Sequence, residues 1–212
     1  MVKTADPYST LVLSPFDDPG IPSNSYPNMP AYPAGQEREV TVLKTGQTPY
    51  NWQVTNFVKP KKEDLVIYEV LVRDFDDNKN FQDVIDRLDY LETLGINAIE
   101  LMPVSEIDGN ESWGYNPSFH MALDKYYGTP KAFKQLIDEC HKRNMAVILD
   151  VVYNHATGQH PYYRMWNDSN GGYGGQASSD SPFFNKVATH AYSVFNDFNH
   201  SKQATKDYVK RT

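Results

Sequence analysis

A parallel α/β fold is predicted by the order in which this chain alternates its elements. Three short runs, residues 65–72, 96–102 and 146–152, are almost continuously apolar. Strands buried on both faces read this way. Between them lie two segments whose apolar residues recur at helical spacing. Strand, helix, strand, helix, strand implies parallel strands joined by crossover helices.

The lead segment comes first, over residues 1–63. Nine prolines fall before residue 61. Proline blocks helix interiors and central strands, so this stretch reads as irregular, with one short strand over 39–43. Tyr26, Tyr32, Tyr50, Trp52 and Phe57 are expected to pin it onto a neighbouring surface. Residues 64–155 then hold three strand–helix steps. Asn80 caps the first helix, with Asp83 at its third position. Phe81, Val84, Ile85, Leu88 and Leu91 form its apolar face, and Gly95 stops it. A long connection covers 104–129. Thr129 and Pro130 open the second helix as cap and first-turn proline. Its stripe is Ala132, Phe133, Leu136, Ile137 and Cys140. After Tyr153 the periodicity fades, and residues 156–200 read as a structureless insertion, a length that is usually functional. Residues 201–212 begin a further helix.

Composition narrows the function classes. The 212 residues carry 27 acidic and 20 basic side chains, a net charge of -7. A nucleic-acid binder would show a basic footprint instead. No run of 18 apolar residues predicts a membrane span, and residues 1–7 show no signal peptide, so no compartment is assigned. The single cysteine, Cys140, excludes an internal disulfide framework. There is no glycine-rich phosphate loop and no paired-cysteine metal motif.

Sites in parallel β/α proteins form at the carboxyl ends of strands. Strand one ends in Arg73-Asp74-Phe75, strand two runs out to Glu106, and strand three carries Asp150 before Tyr153-Asn154-His155. Asp74 reads as a turn cap or a site residue, and Glu106 as a solvated loop carboxylate or a site residue. Asp150 lies within an apolar run, and a buried carboxylate is costly unless paired or hydrogen-bonded. A structural partner and a functional role both satisfy it. The Asn154 side-chain oxygen suits calcium, and His155 can donate to a hydroxyl. Trp113-Gly114-Tyr115 sets two aromatics about a glycine, either to stack on sugar rings or to staple the loop.

These strings together resemble the α-amylase family of glycoside hydrolases. They are Ile67-Tyr68-Glu69-Val70 through Phe75, Trp113-Gly114-Tyr115-Asn116-Pro117, Tyr127-Gly128-Thr129-Pro130, Asp150-Val151-Val152-Tyr153-Asn154-His155, and Asp197-Phe198-Asn199. The resemblance implies the first part of a (β/α)8 barrel, about three strands, with the insertion after the third. It implies an α-glucan or maltooligosaccharide ligand, hydrolysed with retention, and equally allows a branching or debranching enzyme. By the same resemblance Asp150 is a supporting aspartate and not the nucleophile. Tyr115 stacks on the sugar, His155 contacts it, Trp113 lines the cleft, and Asn154 is a calcium ligand. The family's nucleophile and acid/base follow the fourth and fifth strands, so both are expected to be absent here and the chain alone to be inactive, an amino-terminal part of a longer enzyme. Two other readings remain. One is a non-catalytic glucan-binding module. The other is a metal-dependent site of Asp74, Glu106, Asp150 and His155. Unpaired strand edges also predict self-association.

Overall fold

The computed structural model describes residues 2–212. In the lead segment, β1 (Val12–Leu13) and β2 (Val40–Thr41) pair antiparallel. The strand expected over 39–43 is thus two residues long. Val12 and Leu13 are buried, Val12 beside Phe119 and Ala122. The expected pinning is present further on. Asp138 accepts the backbone N–H groups of Gln53 and Val54, and Phe57 stacks on His141 with centroids 3.9 Å apart.

The main sheet has three strands. β3 (Ile67–Val70) is followed by the short helix α1 (Val72–Phe75), α2 (Phe81–Asp86) and α3 (Leu88–Thr93). β4 (Ala98–Leu101) then pairs parallel with β3. Between β4 and the next helix lies an antiparallel hairpin, β5 (Ser105–Ile107) with β6 (Pro117–Leu123). The long connection expected over 104–129 is therefore structured. Helix α4 (Pro130–Lys142) leads into β7 (Ala146–Leu149), which pairs parallel with β4.

Capping follows the local chemistry. Asn80 Oδ1 accepts from the N–H groups of Gln82 and Asp83, and Thr129 Oγ1 from that of Ala132. The apolar helix face is buried as its spacing requires: Phe81, Val84, Leu88 and Leu91 are fully covered. Each such side chain contributes about 1.5–3 kcal/mol.

Two expectations about the strands need correction. All three are four residues long, so Asp150 lies just past β7 and not within it, and Val72 opens a helical turn. Nor are the outer strands β3 and β7 buried on both faces, whereas in β4 the successive residues Ala98 and Ile99 are both fully covered. Tyr68, Val70, Ile99, Leu101 and Val147 pack against the helices. By the period of two, Ile67 and Glu69 point the other way, and both are exposed. Glu69 lies in register with Glu100 on this uncovered face. The outer strands β3 and β7 each pair on one side only among the described residues.

The insertion is also not structureless. β8 (His155–Ala156) pairs antiparallel with β9 (Asn196–Asp197), and α5 (Pro161–Met165) lies between them in sequence. An aromatic core takes the place of periodicity. Tyr162 stacks on Phe183 at 3.6 Å and Phe184 on Phe198 at 4.4 Å, and helix α6 (Gln203–Arg211) adds buried Tyr208.

Glu106, read as a solvated loop carboxylate or a site residue, is neither. It is buried and paired with Lys125, itself fully buried, while Asp18 of the lead segment lies 3.3 Å from the same ammonium. Burial raises the Glu106 carboxyl above its ordinary range, and the Lys125 charge opposes that shift. Burial alone would lower Lys125, but Glu106 and Asp18 more than offset it and hold the ammonium charged.

Candidate functional site

Asp150 sits where β7 ends, its N–H donating to the Leu101 carbonyl at 2.9 Å. It is half-buried, and its Oδ2 accepts a 2.6 Å hydrogen bond from the Tyr115 hydroxyl. The partner that a costly carboxylate requires is therefore a tyrosine. That bond to Asp150, with burial second and the charges of Glu69 and Glu100 adding, pushes the Tyr115 hydroxyl up to about 12. Tyr115 thus stays protonated and donating at neutral pH.

The loop that presents Tyr115 depends on Gly114. Its φ is +93°, and a Cβ there would lie 2.4 Å from the Pro103 carbonyl oxygen. Only glycine fits. Asn116 braces the loop by donating from Nδ2 to the Asp108 carbonyl at 2.8 Å. Trp113 remains 62% exposed, an aromatic face open to a ligand.

His155 is buried against the same loop. Its Nε2 lies 2.7 Å from the Tyr115 carbonyl oxygen, so this nitrogen carries the proton and donates. Nδ1 then accepts from Asn154 Nδ2 at 3.2 Å. Both ring nitrogens are engaged, and donation to a sugar hydroxyl requires one of these bonds to exchange. Asp150, Tyr115 and His155 thus form one connected wall, with Trp113 on the same loop.

Calcium takes six to eight oxygen ligands. The Asn154 backbone carbonyl accepts from the Phe198 N–H at 2.9 Å, and its Nδ2 donates to His155 Nδ1. Asp197, paired across the β8–β9 ladder, already accepts from Asn185 Nδ2 at 2.7 Å and lies 3.0 Å from His190 Nε2. Among the described residues no three acidic, histidine or cysteine side chains converge to hold a metal ion. The metal site imagined from Asp74, Glu106, Asp150 and His155 is not assembled either. Asp74 is paired with Arg73, Glu106 with Lys125, and Asp150 with Tyr115.

Phe195 was not expected at this site. Its ring lies 5.5 Å from that of His155. It precedes the Asp197-Phe198-Asn199 triplet, and that adjacency was the one available signal.

Comparison with known proteins agrees with the geometry. Residues 66–207 match the family model of the alpha-amylase catalytic domain. The malto-oligosyltrehalose trehalohydrolase of Saccharolobus solfataricus is 46% identical over 106 residues, 50% of this chain and 19% of that protein. Pullulanase A of Streptococcus pneumoniae is 37% identical over 131 residues, 44% of this chain and 10% of that protein. A putative alpha amylase from Salmonella typhimurium superposes with a TM-score of 0.66 at 28% identity, covering 82% of this chain and 27% of that one. The chain therefore spans about a fifth of the length of the trehalohydrolase it matches. Its parallel sheet and covering helices are part of a (β/α)8 barrel. The chain belongs to the α-amylase family of glycoside hydrolases.

Proposed function

We propose that this chain supplies the opening part of the catalytic barrel of an α-glucan-acting glycoside hydrolase, and that Asp150, Tyr115, His155 and Trp113 form one wall of its sugar site. The observation that carries the reading is the connected path at the strand ends. Asp150 accepts from Tyr115, the Tyr115 carbonyl orients His155, and Trp113 stays open beside them. Names such as malto-oligosyltrehalose trehalohydrolase and pullulanase among the relatives support an α-glucan as the ligand class.

In this reading Tyr115 and Trp113 offer apolar ring surface to the C–H face of a glucosyl unit. Asp150 holds the Tyr115 hydroxyl in place and accepts from sugar hydroxyls with its remaining lone pairs. Retaining hydrolysis needs two carboxyl groups about 5–5.5 Å apart, one as nucleophile and one as acid/base. Asp74 and Glu106, the other strand-end carboxylates, are held by Arg73 and Lys125. The chain by itself therefore binds glucan and does not cleave it.

Calorimetric titration with maltoheptaose, alongside a reducing-end assay, tests both halves. The expected result is saturable binding, weakened by Asp150→Asn and Tyr115→Ala, with no new reducing ends. Absence of binding refutes the site. Reducing ends released by the purified chain and abolished by Asp150→Asn refute the division of labour.

A further inference from the structure

A separate cleft lies between the lead segment and the insertion. It encloses about 530 Å³ and is lined by residues 2–5, 35–41, Arg164 and 169–172. None of these belongs to the wall of Asp150, Tyr115, His155 and Trp113. Five charged side chains border it, Lys3, Arg38 and Arg164 against Glu37 and Glu39. Three cations against two carboxylates leave a surplus of positive charge, in a chain whose net charge is -7.

The buried charges of the cleft are poorly matched. Arg164 is 2% exposed. Its Nε and Nη2 donate to the carbonyls of Gly171 and Lys3 at 2.9 and 2.7 Å, but its Nη1 has no hydrogen-bond partner among the described residues. Glu39 is also buried and stands 3.9 Å from that nitrogen, beyond hydrogen-bond reach. The Glu39 carboxylate accepts instead from the Tyr173 hydroxyl, 2.8 and 2.7 Å from its two oxygens. The Thr4 hydroxyl, at the same cleft, is likewise buried without a partner. Burial pulls the Arg164 guanidinium below its ordinary range, and the Arg38 charge adds to the shift, as befits a cation short of counter-charge. Arg38 itself lies over the Tyr173 ring, 4.4 Å from its centroid. Among the described residues its side chain makes one hydrogen bond, to the Gly171 carbonyl at 3.3 Å, and no ion pair. A guanidinium carries five N–H donors, so most of those on this half-buried arginine stay available.

We propose that this cleft binds a small oxyanion, phosphate or the phosphate group of a monoester, on Arg38, with Lys3 and Arg164 supplying charge behind it. The planar fork of arginine matches two phosphate oxygens at once, and the cleft has the volume of a small-molecule site. The anion touches lead segment and insertion together and fastens one onto the other. The inference stands apart from the reading of the wall as a sugar site.

Calorimetric titration of the 212-residue chain with inorganic phosphate, and separately with glucose 6-phosphate, is the test. Ionic strength is held constant with chloride, so that screening does not vary, and a thermal melt accompanies each titration. Saturable binding and a melting temperature above that in chloride are expected. Tighter binding of the ester identifies a monoester as the ligand, and equal affinity identifies the free anion. Arg38→Gln should weaken binding about tenfold, the effect of one lost charge-assisted hydrogen bond. Glu39→Gln should tighten it about threefold, because a competing carboxylate is gone. Asp150→Asn should leave it unchanged. The proposal fails if phosphate and chloride give the same melt and no heat, or if Arg38→Gln binds as the parent does. Weaker binding by a folded Glu39→Gln overturns the charge argument, and loss of binding in Asp150→Asn places the anion at the wall instead.

Discussion

Replacing Lys125 with methionine should destabilise the fold severely, and the buried charges say by how much. The Lys125 ammonium meets Glu106 of β5 and lies 3.3 Å from Asp18 of the lead segment, with all three side chains buried. Methionine fills a similar volume but leaves two carboxylates facing each other without a counter-charge, with buried Asp124 in the neighbouring position. Breaking a buried ion pair in this way costs about 3–5 kcal/mol. In a chain of this size each kcal/mol moves Tm by about 2–4 °C, so Lys125→Met should lower it by roughly 6–20 °C. Urea denaturation followed by circular dichroism reads the free energy directly.

The pH dependence has a definite sign. Burial raises the Glu106 and Asp18 carboxyls in the folded chain, and Lys125 opposes the rise in both. A group raised on folding contributes stability below its unfolded value and loses it as pH rises through the folded value. Without Lys125 the carboxyls rise further, so the penalty is greatest near neutral pH and smallest near pH ~4. The double change Lys125→Met with Glu106→Leu should recover much of the loss, because an apolar pair replaces an orphaned charge. If Lys125→Met stays within about 1 kcal/mol of the parent at neutral pH, as an exposed ion pair would, the ion cluster does not hold the lead segment.

Three further outcomes are expected. Asn80→Ala removes the acceptor for two N–H groups at the start of α2 and should cost about 1 kcal/mol in urea denaturation. Gly114→Ala places a Cβ 2.4 Å from the Pro103 carbonyl at φ +93°, so it should destabilise the chain by about 1–3 kcal/mol and abolish measurable maltoheptaose binding. His120, pushed down to about 4 chiefly by burial, should keep a neutral ring in an NMR titration until that pH. Its contribution to stability is complete above its unfolded value of about 6.5 and disappears as pH falls through the folded one. Protonation of His120 near 6.5 would show that the ring is not buried as described.

The barrel strands and helices were legible because their signals are local. Asn80 and Thr129 are side-chain caps, and the stripe from Phe81 to Leu91 needs only its own spacing to be read. The hairpin was not legible: residues 104–129 read as a long connection, because Ala122 breaks the alternation of Phe119, Met121 and Leu123 in β6 and its partner β5 is only three residues long. The insertion was not legible, because Tyr162 on Phe183 and Phe184 on Phe198 are contacts without a repeat. Asp150 was read as needing a partner, but that partner is 35 residues away and no local pattern names it. Glu106 failed for the same reason: its meaning depends on Lys125 and on Asp18 in the proline-rich lead segment, distant in sequence. Phe195 has one signal in the sequence, its place just before the Asp197-Phe198-Asn199 triplet, and no local pattern sets its ring beside His155.

The site's parts come from three segments, and backbone groups tie them together. His155 of β8 is oriented by the carbonyl of Tyr115 in the hairpin loop. The Thr157 N–H donates to the Pro117 carbonyl at 3.0 Å, and the Thr157 and Ser118 hydroxyls lie 2.6 Å apart, both buried. The insertion is thus fastened to the hairpin at the positions flanking the wall. Its own order comes from the aromatic core around Phe184, Phe198 and Tyr208. A substitution there would move His155 and Phe195 together, because both belong to the β8–β9 ladder or adjoin it. The converse holds by linkage, since a ligand that binds only the ordered state stabilises it as its concentration exceeds Kd. A ligand touching Tyr115 and His155 at once would bridge hairpin and insertion, so its binding free energy would fall on the contacts that hold those two segments in register.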